Sequence, residues 1–147
     1  MRRPVGRMQL IKSLKSLGRI YPEIDAVYLF GSRAAGKSGP LSDVDIGVLL
    51  DTNRVRSKDL FRVRLNLITQ AMEACRRSDV DLVLLNEAGP LLAYEVVSGG
   101  QLVYERSHQR RVVYEAGALQ RYLDFQPFFY TARQYLKRHL REGTYGG

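Results

Sequence analysis

Two aspartates, Asp43 and Asp45, are separated by a single residue in the run DVDIGVLL. On a strand, positions two apart point to the same face. Both carboxylates then share one side, while Val44, Ile46, Val48 and Leu50 take the other and can enter a core. Like charges a few ångströms apart raise each other's pKa, and a cation between them removes that cost. Hard carboxylate oxygens on a rigid strand suit Mg²⁺, which keeps several waters and shares its shell with phosphate oxygens. Gly47, next on the same face, is expected to leave space beside the pair. Strands disfavour aspartate, so an ordinary solvated face is the weaker account of two on one short segment.

A second pair, Asp79 and Asp81, precedes LVLL. Asp81 falls inside this later strand. Asp79 stands at its mouth and is the rival for the same role, although it can equally end the preceding turn. If the two strands are neighbours, Asp81 joins Asp43 and Asp45. Three carboxylates can hold two metals ~3.5–4 Å apart, an arrangement that stabilises attacking and leaving oxygens in phosphoryl chemistry.

Upstream, GSRAAGKS occupies positions 31–38, directly after AVYLF. Its spacing matches the P-loop, which cradles phosphates at the N-terminus of a helix opening at Gly-Lys-Ser. Gly39-Pro40 follows instead, and the next strand begins at once, leaving no room for a crossover helix. The P-loop reading fails on that context. What remains is a glycine that admits close backbone approach, with the Ser32 hydroxyl and nearby N–H groups donating to the β- and γ-phosphates of a nucleotide. Arg33 or Lys37 would add positive charge.

The elements that must position these residues follow from periodicity. Leu10, Ile11, Leu14 and Leu17 predict a helix over 7–18. Strands are expected at 26–30, 43–50 and 80–85, with a short one at 102–104. An amphipathic helix is expected over 57–76, and another between Pro90 and Gly99-Gly100. From Ser107 the pattern is helical, with a break expected near 125–127 and a final helix to about 140. Alternating helices and strands give an α/β class, a small mixed sheet flanked by helices. The 147 residues suggest one domain, 1–147, with a core over about 10–105 and C-terminal helices over about 107–141.

Composition narrows the setting. Net charge is +8, which favours a polyanion or an acidic protein partner. Arg54, Arg56, Lys58, Arg62 and Arg64 cluster at the start of a helix, where positive charge opposes the helix dipole, and this favours a binding role. The absence of a long apolar run or a signal-peptide pattern predicts no membrane association and a cytoplasmic location. A single cysteine, Cys75, fits a reducing compartment and reads as a core filler. His108 and His139 lack neighbours at ligand spacing, so zinc is not expected. Six of the nine tyrosines, Tyr94, Tyr104, Tyr114, Tyr122, Tyr130 and Tyr135, are expected at core edges. No aromatic–basic alternation marks a strand, so direct nucleic-acid binding is not expected.

Gly31-Ser32, ten residues, then Asp43-Val44-Asp45, with a further acid on a later strand, resembles the DNA polymerase β-like nucleotidyltransferase superfamily. The text FGSRAAG…SDVDIGVLL is similar to its small minimal nucleotidyltransferase (MNT) branch, as are DLVLLNEAGPLLAYEVVSGGQLVYE and YLDFQPFF. The resemblance implies the polymerase β-like fold and an antitoxin encoded beside a HEPN-type RNase toxin. Its implied reaction transfers AMP from ATP to a tyrosine hydroxyl of that toxin. By family pattern Asp43 and Asp45 would ligate two Mg²⁺ ions, and Asp81 would ligate the catalytic ion and help deprotonate the hydroxyl. Gly31 and Ser32 would bind the triphosphate; Arg33 is the expected third contact on its charge and not on the resemblance. Two alternatives stay open: an antitoxin acting by contact alone, and a nucleotidyltransferase acting on a small molecule or an RNA end.

Overall fold

A computed structural model describes residues 6–31 and 43–143. Helix α1 (Arg7–Ile20) leads into strand β1 (Ile24–Phe30); β2 (Val44–Leu50) follows, then α2 (Leu60–Cys75), β3 (Val80–Leu84), α3 (Pro90–Gly99), β4 (Gln101–Glu105) and α4 (His108–Glu142). A single 3₁₀ turn, Ser57–Asp59, precedes α2. The four strands form one mixed sheet in the order β3-β2-β1-β4. β1 is antiparallel to both β2 and β4, while β2 and β3 run parallel, joined by the crossover through α2.

Alternation along the strands assigns the two faces. Val27, Leu29, Val44, Ile46, Val48, Leu82 and Leu84 are buried against Leu10, Leu14 and Leu17 of α1 and Leu67 and Ala71 of α2. Cys75 lies in this core, and burial pushes its thiol up to about 11, so it is packing material as expected. The other face carries Ala26, Tyr28 and Leu49, covered by Val96 of α3 and by Tyr114 of α4. Gly47 belongs to this second face. A Cβ there would lie 2.9 Å from Val96 Cγ1, so the missing side chain lets α3 pack close and does not open space beside the acids as expected.

Polar contacts bind the first part of α4 to the sheet. Arg110 donates twice to buried Asp25 at 2.7 Å, and Tyr28 donates to Glu115 at 2.5 Å. Arg111 bridges Glu105 and Glu115, and Tyr114 donates to the Leu85 carbonyl at 2.7 Å. The helix then continues unbroken through Pro127, which corrects the expected break. Proline removes one N–H donor, but the carbonyl it abandons belongs to Leu123, which is itself exposed, so water can satisfy it. Tyr130 and Tyr135 on this distal part are exposed and not at a core edge. No helix among the described residues is long and apolar enough to cross a membrane.

Candidate active site

The parallel ladder decides which acid faces which. β2 and β3 are in register Val44↔Val80 and Asp45↔Asp81, and the Val44 N–H donates to the Asp79 carbonyl at 3.0 Å. Asp45 and Asp81 are therefore cross-strand partners, with Asp43 one residue ahead of β2. Asp43 and Asp81 are exposed and Asp45 is half-buried. The Asp45 carboxyl is held above its usual range, first by burial, then by the charges of Asp81 and Asp43. Three carboxylates thus feel one another at one end of the sheet.

Gly31 closes the site from β1. It follows Phe30, the antiparallel partner of Asp45, and adopts the left-handed conformation at φ +74°. A Cβ at Gly31 would fall 2.2 Å from Asp45 Oδ2. Only glycine allows both the backbone angle and this approach of carboxylate to turn. Ser32, Arg33 and Lys37, the other expected phosphate contacts, lie outside the described residues.

Asp79, the rival third acid, is otherwise engaged. Arg77 grips it through two nitrogens, with Nε donating to Oδ1 at 2.7 Å. The Arg77 side chain is nine-tenths buried, and both Asp79 and Asp43 hold its guanidinium above its ordinary pKa, the Asp79 hydrogen bonds most strongly. Sequence reasoning missed this pair; a cation two residues before the mouth of an acidic strand was the signal available.

Asp43, Asp45 and Asp81 fit a hard divalent cation by donor type, by the mutual repulsion that lifts Asp45, and by the close glycine turn. No three His, Cys, Asp or Glu side chains among the described residues are already gathered as a metal cage. Mg²⁺ does not require one, since it binds through one or two carboxylates together with water and substrate phosphates.

Other features stand apart. A cavity of about 340 Å³, lined by Asp25, Leu50, Asn86 and Tyr114 among others, lies at the opposite end of the sheet from these acids. The basic cluster after β2 is partly engaged: Arg54 pairs with Asp51 at 3.7 Å, Arg62 with Asp59 at 3.4 Å, and Arg64 donates to the Leu82 carbonyl at 3.3 Å. Asp59, at the N-terminal end of α2, also offsets the unfavourable positive charge there.

The stretch of chain that holds this arrangement also matches a family model. Residues 12–109 match the polymerase beta nucleotidyltransferase model, two thirds of the chain, and this stretch holds Asp43, Asp45, Asp79 and Asp81. The chain belongs to this nucleotidyltransferase family. A curated relative, the protein adenylyltransferase MntA of Shewanella oneidensis, is 32% identical over 93 residues, 63% of this chain and 63% of that protein. The matched stretch is therefore under two thirds of the relative's length. Two solved structures extend the likeness. One, a toxin–antitoxin with AMP-PNP, superposes with a TM-score of 0.67 at 27% identity, covering 89% of this chain and 98% of that one. The other, a tri-AMPylated Shewanella oneidensis HEPN toxin in complex with MNT antitoxin, gives a TM-score of 0.64 at 25% identity over 92% and 99% of the two chains.

Proposed function

We propose that this chain is a Mg²⁺-dependent adenylyltransferase that moves AMP from ATP to a tyrosine hydroxyl of a cognate HEPN-type RNase toxin, and so acts as its antitoxin. The observation that carries the reading is the pairing of Asp45 with Asp81 across β2 and β3, beside a glycine turn that no other residue could occupy. Its support in relatives is an adenylyltransferase at 32% identity and an MNT antitoxin complexed with an AMPylated HEPN toxin.

Asp43, Asp45 and Asp81 would hold two Mg²⁺ ions, whose chemistry when bound is to neutralise charge on the triphosphate and on departing pyrophosphate. Gly31, Ser32 and Arg33 would bind the triphosphate, the backbone of the turn approaching where a side chain would block it. The tyrosine oxygen forms a bond to the α-phosphorus. The bond from that phosphorus to the bridging oxygen breaks, and its electron pair leaves with pyrophosphate. The phenolic proton passes to the Asp81 carboxylate. A phenol of pKa ~10 gives up its proton more readily than an alcohol, which suits a carboxylate acceptor. Most of the acceleration then comes from positioning and electrostatics.

Incubation with ATP, Mg²⁺ and the HEPN-type protein encoded beside this chain tests the reading by intact-mass measurement. A gain of one or more AMP units, lost in Asp43→Ala and Asp45→Ala, is expected. Inhibition of the RNase that persists in both variants without any mass gain would overturn it in favour of contact alone.

A further inference from the structure

The 35-residue helix α4 is far longer than the body of the fold needs. Ala118, Tyr122, Phe125, Phe129, Ala132 and Leu136 recur at alternating spacings of four and three, the pattern of a helix-packing seam. The first two of these are satisfied within the fold. Ala118 is fully buried, and Tyr122 stacks on Tyr94 of α3 with ring centroids 3.8 Å apart. The same seam then runs on for roughly 20 Å at ~1.5 Å per residue, with Phe129 and Ala132 half-buried and the residues around them exposed. Phe125 is 47% exposed and Leu136 44%, while Phe128 and Leu140 on its flanks reach 67% and 63%. Such a strip of aromatic and aliphatic surface exceeds the scattered exposure normal for a soluble face.

We propose that this distal seam is the surface on which the acceptor protein docks, through a helical face that is apolar at its centre and acidic at its rim. The inference rests on the function proposed above, which supplies a protein acceptor, and it adds the surface and the chemistry of the contact. Charge selects the occupant. From Arg133 to Glu142 the helix carries Arg133, Lys137, Arg138 and Arg141 against one acid, Glu142, which already accepts from Arg138 at 3.2 Å. A second copy would bring the same basic segment and another net charge of +8 to the contact. An acid-rimmed partner removes that repulsion. The superposed toxin–antitoxin chains cover about nine-tenths of this chain, which they could not do without much of α4.

The test titrates the full chain with the purified HEPN-type protein encoded beside it. Four forms are compared: wild type, Phe128→Glu, Leu136→Glu and Asp45→Ala. Because Phe128 and Leu136 are exposed, both glutamate variants should keep the wild-type circular dichroism and melting temperature. Each should weaken binding by about tenfold or more, as expected for an apolar anchor. Asp45→Ala should bind as wild type does, and wild-type affinity should fall with added salt. Unchanged affinity in both glutamate variants, or no binding by wild type, overturns the proposal. So does sedimentation showing a wild-type dimer that Phe128→Glu converts to monomer. Loss of binding in the glutamate variants, with no AMP transferred by wild type, keeps the docking surface and sinks the proposed reaction. AMP transfer with unaffected binding does the reverse.

Discussion

Asp45 is where stability and function oppose each other. Its carboxyl is raised by burial and by the charges of Asp81 and Asp43, so the native state holds the proton more tightly than the unfolded chain does. Stability is therefore lost as pH rises from the ordinary carboxylate range through the raised value. In metal-free buffer at pH 7, Asp45→Asn should melt at a higher temperature than wild type. That advantage should shrink as pH falls through the raised pKa, where wild type is protonated too. Calorimetric scans across pH check this, and a variant that melts lower than wild type at pH 7 would contradict it. Gly31 presents the complementary case. Gly31→Ala places a left-handed conformation on an L-residue, at ~1–2 kcal/mol, and sets its Cβ against Asp45 Oδ2. A displaced carboxylate should lower turnover by roughly a hundredfold, read by the rate of AMP incorporation.

At the level of elements, the parallel β2–β3 register converts sequence spacing into a site. The strands were legible because Val44, Ile46 and Val48 alternate with residues of different character, and burial follows that alternation. Asp81 was expected over Asp79 from its place inside the strand, and it does face Asp45, but the register itself was not legible because it is a property of two strands together. The role of Gly47 was misread for a related reason. Its same-face neighbour is Val96, which arrives from α3, an element distant in the chain. Gly47→Ala should cost about 1–3 kcal/mol through overpacking of that contact, measurable by denaturant unfolding. Pro127 shows the limit of a local rule: an exposed proline within a long helix loses one hydrogen bond, which water can replace.

For the whole molecule, the sheet holds one acid-bearing end for chemistry, and α4 is anchored at the other end through Asp25 and Arg110. The residues proposed to do chemistry were named by type and spacing, since carboxylates at alternate strand positions repel one another until a cation joins them. The Arg77–Asp79 pair and the uncovered half of α4 became visible only once tertiary contacts showed which groups are engaged and which faces are covered. The proposed catalysis requires that Asp43, Asp45 and Asp81, and not Asp79, gather divalent metal for a nucleotide. Titration with Mn²⁺ in the presence of a non-hydrolysable ATP analogue, followed by electron paramagnetic resonance, measures that gathering. Metal uptake should fall in Asp43→Asn, Asp45→Asn and Asp81→Asn and survive in Asp79→Asn. Wild-type uptake in Asp81→Asn together with its loss in Asp79→Asn would refute the assignment.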